Sequence, residues 1–106
     1  MAVVTKASIA MDYTKAKRQA DQIDTIANNL TRLSNNDFAS SMQNISANWK
    51  GENASGYLRK GAILQGDISQ TAKNLHAIAS DLRSAALRIY KAEMQALAIA
   101  QERKKR

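Results

Sequence analysis

The chain has 106 residues, a formal net charge of +7 and a hydrophobic content of 44%, with neither proline nor cysteine. That length suits one domain, the apolar content excludes a disordered chain, and the missing cysteines exclude disulfide staples and thiolate metal sites. Aromatics at 5% and the absence of proline favour long helices over strands.

The first predicted element is a helix over about residues 6–46. Ile9, Tyr13, Ala16, Ala20, Ile23, Ala27 and Leu30 recur at alternating steps of four and three, with Ile26 and Leu33 on the flank. This is one apolar face of a helix. The register then breaks. Phe38, Met42, Ile45 and Trp49 continue the stripe only if an extra four-residue step is taken around Ser34, a stutter that locally unwinds a supercoil. The intervening Ser34-Asn-Asn-Asp37 is poor helix sequence and predicts a kink or loosened turn.

A bend follows at residues 47–53, built on Trp49-Lys50-Gly51. Glycine takes the positive backbone angles that end a helix, so Gly51 is the expected stop and Asn53 the expected cap of the next helix. The link is short, which requires an antiparallel fold-back. Residues whose numbers sum to roughly 103 then face each other: Ile45 meets Leu58, Phe38 lies near Leu64, and Tyr13 approaches Tyr90. Gly56 and Gly61 are expected to keep the surface low around the indole, so that Trp49 either seals the bend end or lines a docking notch there.

The second helix is predicted over about 54–101, with a basic tail at 102–106. Leu64, Ile68, Thr71, Leu75, Ile78, Leu82, Ala85, Ile89, Ala92, Ala96 and Ile99 form an a/d seam over five heptads. Alanines at 72, 79, 86 and 100 and Glu93 lie beside it at the e positions. The basic end suits the negative pole of a helix dipole without any ligand.

The fold class expected is all-α: a single helical-hairpin domain over residues 1–106. A lone hairpin leaves part of so wide a stripe wet, and each exposed Leu or Ile forgoes roughly 1.5 to 3 kcal/mol. Against a net stability of about 5 to 15 kcal/mol that loss is decisive. The hairpin is therefore expected to pair with a second one, as a homodimer or heterodimer, in an elongated four-helix bundle. The core expected, within the hairpin or between paired hairpins, comprises Ile23, Leu30, Phe38, Ile45, Leu64, Ile68, Leu75, Ile78, Leu82 and Ile89.

A central Trp49-Lys50-Gly51 between two amphipathic helices, in a chain of this length with no cysteine, no proline and no signal-peptide pattern, resembles the WXG family. These are the small early-secreted-antigen-like substrates of type VII secretion systems in Gram-positive bacteria. The resemblance covers essentially the whole chain. It implies a non-enzymatic effector or carrier that dimerises, engages a membrane-bound secretion ATPase or a larger toxin cargo, and leaves the cytoplasm without a cleaved signal peptide. In the family the Trp-x-Gly turn of one subunit lies near the C-terminal helix end of its partner. Many members carry there a tyrosine followed four residues later by an acid. Here the acid, Glu93, is three residues after Tyr90. Both spacings keep the pair on one helix face, and the departure favours export alongside a partner that bears the full signal.

Leu87, Tyr90, Met94 and Leu97 recur at three, four and three residues on the side of helix 2 opposite its seam. With Glu93 they form a candidate docking strip for the ATPase or a cargo helix, Tyr90 being its anchor. The alternative is that a bundle partner covers them, or that they are scattered surface apolar residues simply tolerated.

Catalytic chemistry finds no foothold. The one histidine, His76, lies five residues from Asp81 and off its helical face, and it reads as a surface residue. No Gly-x-Ser-x-Gly elbow, phosphate-cradling glycine pattern or paired seam carboxylates occur. No enzyme activity, cofactor or metal is expected, and no apolar run is long enough to span a membrane. The competing reading is a basic helical nucleic-acid-binding or chaperone-like protein. It is disfavoured because Lys and Arg interleave with Asp12, Asp21, Asp24, Asp67, Asp81, Glu93 and Glu102.

Overall fold

A computed structural model of the chain describes residues 4–105, and every element in it is helical. α1 spans Lys6–Arg32, a π-helical turn spans Leu33–Phe38, α2 spans Ala39–Asn48 and α3 spans Glu52–Lys105. α3 thus takes in residues 102–105 of the expected basic tail, as their fit to the helix dipole allows, and Arg106 lies outside the described residues. Among the described residues, no helix is long and apolar enough to cross a membrane.

α1 begins where Thr5 and Ser8 cap each other. The Ser8 N–H donates to Thr5 Oγ1 at 3.1 Å and the Thr5 N–H donates to Ser8 Oγ at 2.9 Å. This reciprocal arrangement satisfies donors that a helix start leaves orphaned.

The chain forms two compact units, one of Ile23–Ala77 and one of Met1–Gln22 with Ile78–Arg106. In the first, here the bend unit, the end of α1, the π turn and α2 run antiparallel to the start of α3. Asp24 reaches His76 at 2.7 Å, Ser34 reaches Ser69 at 3.0 Å, and Phe38, Ile45 and Leu64 line one cleft. The second, the terminal unit, is likewise antiparallel. Tyr13 stacks on Tyr90 with ring centroids 4.8 Å apart, and Arg83 donates to Asp21 at 2.7 Å. Both tyrosines and the Phe38–Leu64 neighbours obey the pairing expected for a fold about Gly51.

The seam expected on the first half is the one that is packed. Ile9, Ala20, Ala27 and Ser34 are buried, and Tyr13, Ala16, Ile23, Leu30, Phe38, Met42 and Ile45 are half-buried. On α3 the line packed within the single chain differs from the expected seam. The buried residues are Ala54, Gly61, Ala72, Ala79 and Ala86. Ile68, Leu75 and Leu82 flank them, half-buried, whereas Leu64 is 50%, Ile78 51% and Ile89 57% exposed. The packed line on most of α3 therefore runs through the e positions and their a and b neighbours, rotated by roughly 75° from the a/d line at about 100° per residue. The reason is steric. Small residues at every seventh position let two helices approach closely, and a Leu or Ile there would hold them apart.

The bend itself is tight. Trp49 ends α2 in extended backbone, φ −128° and ψ 118°, with its N–H donating to the Ile45 carbonyl at 2.9 Å. Gly51 has φ +112°, a region closed to residues with a Cβ. Its carbonyl accepts the Ser55 N–H at 3.1 Å, so Gly51 occupies the cap position expected of Asn53, which lies inside the first turn of α3. Glu52 places an acid in that turn, where the helix dipole favours it.

Candidate functional site

Three features of the structure bear on function: the indole at the bend, the apolar side of each unit, and the Tyr90 strip. Trp49 is 44% exposed and tilts against Tyr57, with centroids 5.8 Å apart and an interplanar angle of 54°. In the bend unit runs an open, mostly apolar cleft of about 270 Å³ lined by Phe38, Met42, Ile45, Tyr57, Gly61 and Leu64, with Ser41 and Lys60 also on its wall. Gly61 is what lets Met42 take its place there. A Cβ at that position would overlap the end of the Met42 side chain, so the thioether lies directly on the bare glycine. Gly56 has no such neighbour and does not cradle the indole, contrary to expectation.

The bend unit has two unlike long sides. On one, the 2.7 Å Asp24–His76 contact and the Ser34–Ser69 hydrogen bond join the two strands of helix. The b positions of α3, which carry Ser69 and His76, supply those bonds. On the other lie Ile26, Leu33 and Leu64, all exposed. The terminal unit repeats the division: the Asp21–Arg83 pair joins one side, and Ile78, Ile89 and Ile99 are exposed on the a and d positions of α3. The d positions 57, 64, 78 and 99 carry Tyr, Leu, Ile and Ile, and all four are exposed. His76, expected as a plain surface residue, instead partners Asp24, a long-range contact that spacing within one helix could not reveal.

The expected docking strip is not a face apart from the packing. Tyr90 and Glu93 are half-buried and, with Ile9, Tyr13, Ala86 and Ile89, line a cleft of about 170 Å³ in the terminal unit. Rotation of the packed line toward the b positions turns Tyr90 onto Tyr13, whose other neighbour is the Lys17 ammonium, 4.4 Å from the ring centroid. Met94 and Leu97 are half-buried, and Leu87 alone of the strip is exposed. Charge is also divided. The terminal unit holds eleven of the sixteen Lys and Arg and five of the nine Asp and Glu, a formal +6, against +1 for the bend unit. No protein-family model matches the chain, and neither a curated protein nor a solved structure matches it significantly.

Proposed function

We propose that this chain is a non-enzymatic interaction protein of a type VII secretion system: a WXG-like hairpin that pairs with a second hairpin into a four-helix bundle and is exported with it. The secretion ATPase, a toxin cargo or a host protein would then be its docking partner. The observation that carries this reading is the uncovered d line of α3. Its Tyr, Leu and Ile side chains are about half exposed, while the fully buried side chains of α3 are alanines. Half-covered aliphatics each retain roughly 1 kcal/mol of burial still to be gained, and a second helical face is the surface that fits a heptad line. The Trp-Lys-Gly bend, with Gly51 at a glycine-only angle, supports the family resemblance.

Light scattering on the eluting protein at micromolar concentration tests the pairing. The wild type alone, or mixed with a hairpin encoded beside it, should run at the mass of two chains. Leu64→Glu with Ile78→Glu should run at half that mass with its helical circular dichroism intact. A monomer in both settings would refute pairing, and retention of the chain in cells with an active secretion system would refute export.

The formal +6 of the terminal unit favours one second reading, a helical protein that binds nucleic acid through phosphate contacts. Titration with labelled duplex DNA at increasing salt separates the two. Affinity that falls steeply with salt would support this reading, and absence of binding at low salt would end it.

A further inference from the structure

The register break around Ser34 marks two different lines on the same helix. Continued regularly from Ser34, the alternating steps of three and four reach Asp37, Ser41, Asn44 and Asn48, all polar. Shifted by one residue they reach Phe38, Met42, Ile45 and Trp49, all apolar. The structure takes the second course. Asp37, Ser41, Asn44 and Asn48 are exposed, only Ser41 of them reaching the cleft wall, while Phe38, Met42 and Ile45 are half-buried in the cleft against α3. The π turn at Leu33–Phe38 is what makes the shift, because a π turn holds one residue more than an α turn. In effect a single residue is inserted between Ser34 and Phe38.

The same turn is tied to α3 by the densest hydrogen bonding between helices in the bend unit. Ser34 is 0% exposed on a seam whose preceding heptad positions are Ala20 and Ala27. Its hydroxyl donates to the Gln65 carbonyl at 3.2 Å. A serine has one proton to give, so the 3.0 Å contact with Ser69 is a bond donated by Ser69. The Gln65 side-chain amide donates in return to the Ser34 carbonyl at 3.0 Å, at the start of the widened turn. No buried side-chain polar atom among the described residues lacks a partner. A polar residue costs stability in an alanine seam unless every bond is made, and when made it fixes one register.

We propose that Leu33–Phe38 is a one-residue register switch, held closed by Gln65 and Ser69 on Ser34. Closed, it presents the apolar line of α2 to α3. Opened to a regular helix, it turns α2 by about 100°, moves Phe38, Met42 and Ile45 out of the cleft, and offers them to a partner while a polar line faces α3. Trp49, next on the same line, leaves Tyr57 in that state.

The test uses the full chain with Ser34→Ala and Gln65→Ala together, and the same variant with Asn36 deleted. The chain's only tryptophan is the optical reporter. In the double variant, amide hydrogens of residues 33–39 should exchange roughly tenfold or more faster, from the loss of about two hydrogen bonds, and Trp49 emission should shift to the red, with helical dichroism retained. Deleting Asn36 restores the alternating step of three to the apolar line without a π turn. It should return both exchange and emission toward wild type although the lock is still missing. Unchanged exchange in the double variant would overturn the lock. Faster exchange that the deletion leaves uncorrected would overturn the register switch, and so would loss of helicity in the deleted variant.

Discussion

Three of the four glycines allow a graded test of the packing, because each of the three meets a different constraint. Gly66 lies in an exposed stretch of α3, with nothing within 4 Å of an added Cβ. There Gly66→Ala should gain about 0.4 to 1 kcal/mol, from helix propensity and a less flexible unfolded chain. Gly61 has the same propensity to gain. However, its new Cβ would overlap Met42 Cε and Sδ, so the thioether must leave. The end of a methionine is flexible, and forcing it to a poorer rotamer costs about 0.5 to 1.5 kcal/mol. The net for Gly61→Ala is therefore near zero or a loss of up to about 1 kcal/mol. Gly51 meets no neighbour, but φ +112° is closed to alanine, and Gly51→Ala should cost about 1 to 3 kcal/mol.

Urea unfolding followed by helical dichroism, at one fixed protein concentration, reads all three variants. A fixed concentration matters because any association would otherwise shift the midpoint. The expected order of midpoints is Gly66→Ala above wild type, Gly61→Ala at or slightly below it, and Gly51→Ala lowest. If Gly61→Ala rises as much as Gly66→Ala, the Met42–Gly61 contact is not part of the fold. If Gly51→Ala is neutral, the chain does not turn there.

Three further substitutions probe other contacts. Ala79→Leu places a large side chain where there is no exposed surface and should cost about 1 to 3 kcal/mol or more by thermal unfolding; a neutral result would remove the alanine interface. Tyr13→Ala should cost about 1 to 3 kcal/mol by urea unfolding, whereas Tyr13→Phe should cost under about 1, because stacking on Tyr90 needs the ring and not the hydroxyl. Asp21→Asn should cost no more than about 1 kcal/mol, and less at high salt. Its bond to Arg83 is largely solvated and surface pairs are screened; a larger, salt-independent cost would contradict that geometry.

Much of the fold was legible from residue order because helical periodicity is local. The seam from Ile9 to Ile45, the break at Ser34, the turn at Gly51 and the meeting of Tyr13 with Tyr90 all follow from spacing and one short link. Two things were not legible. Counting heptads rewards large aliphatics, so Leu64, Ile78 and Ile89 read as interior. Close approach of two helices selects instead for the smallest side chain, and that preference shows only once both helices are placed. The role of Ser34 was hidden for a related reason. A serine before two asparagines reads as weak helix, and nothing near it in the chain announces Gln65 and Ser69, more than thirty residues away. His76 and Asp24, fifty-two residues apart, are the same kind of case.

The two packing lines of α3 divide labour by size. Alanine gains little free energy from burial, but it allows backbones to close, so Ala72, Ala79 and Ala86 bring the paired helices together at low cost in side-chain entropy. The larger side chains that could contribute more burial, Leu64, Ile78 and Ile99, stand outside that contact. With alanines as the fully buried side chains of α3, the interior is narrow and the margin of stability correspondingly small. Replacing Ile78 with alanine therefore discriminates. Within one hairpin the change removes atoms already half in water and should cost well under 1.5 kcal/mol. If a second hairpin covers the line, the same change leaves a cavity and should cost about 2 to 5 kcal/mol. A cost that grows with protein concentration would place Ile78 between chains, and a small, concentration-independent cost would leave it on the surface.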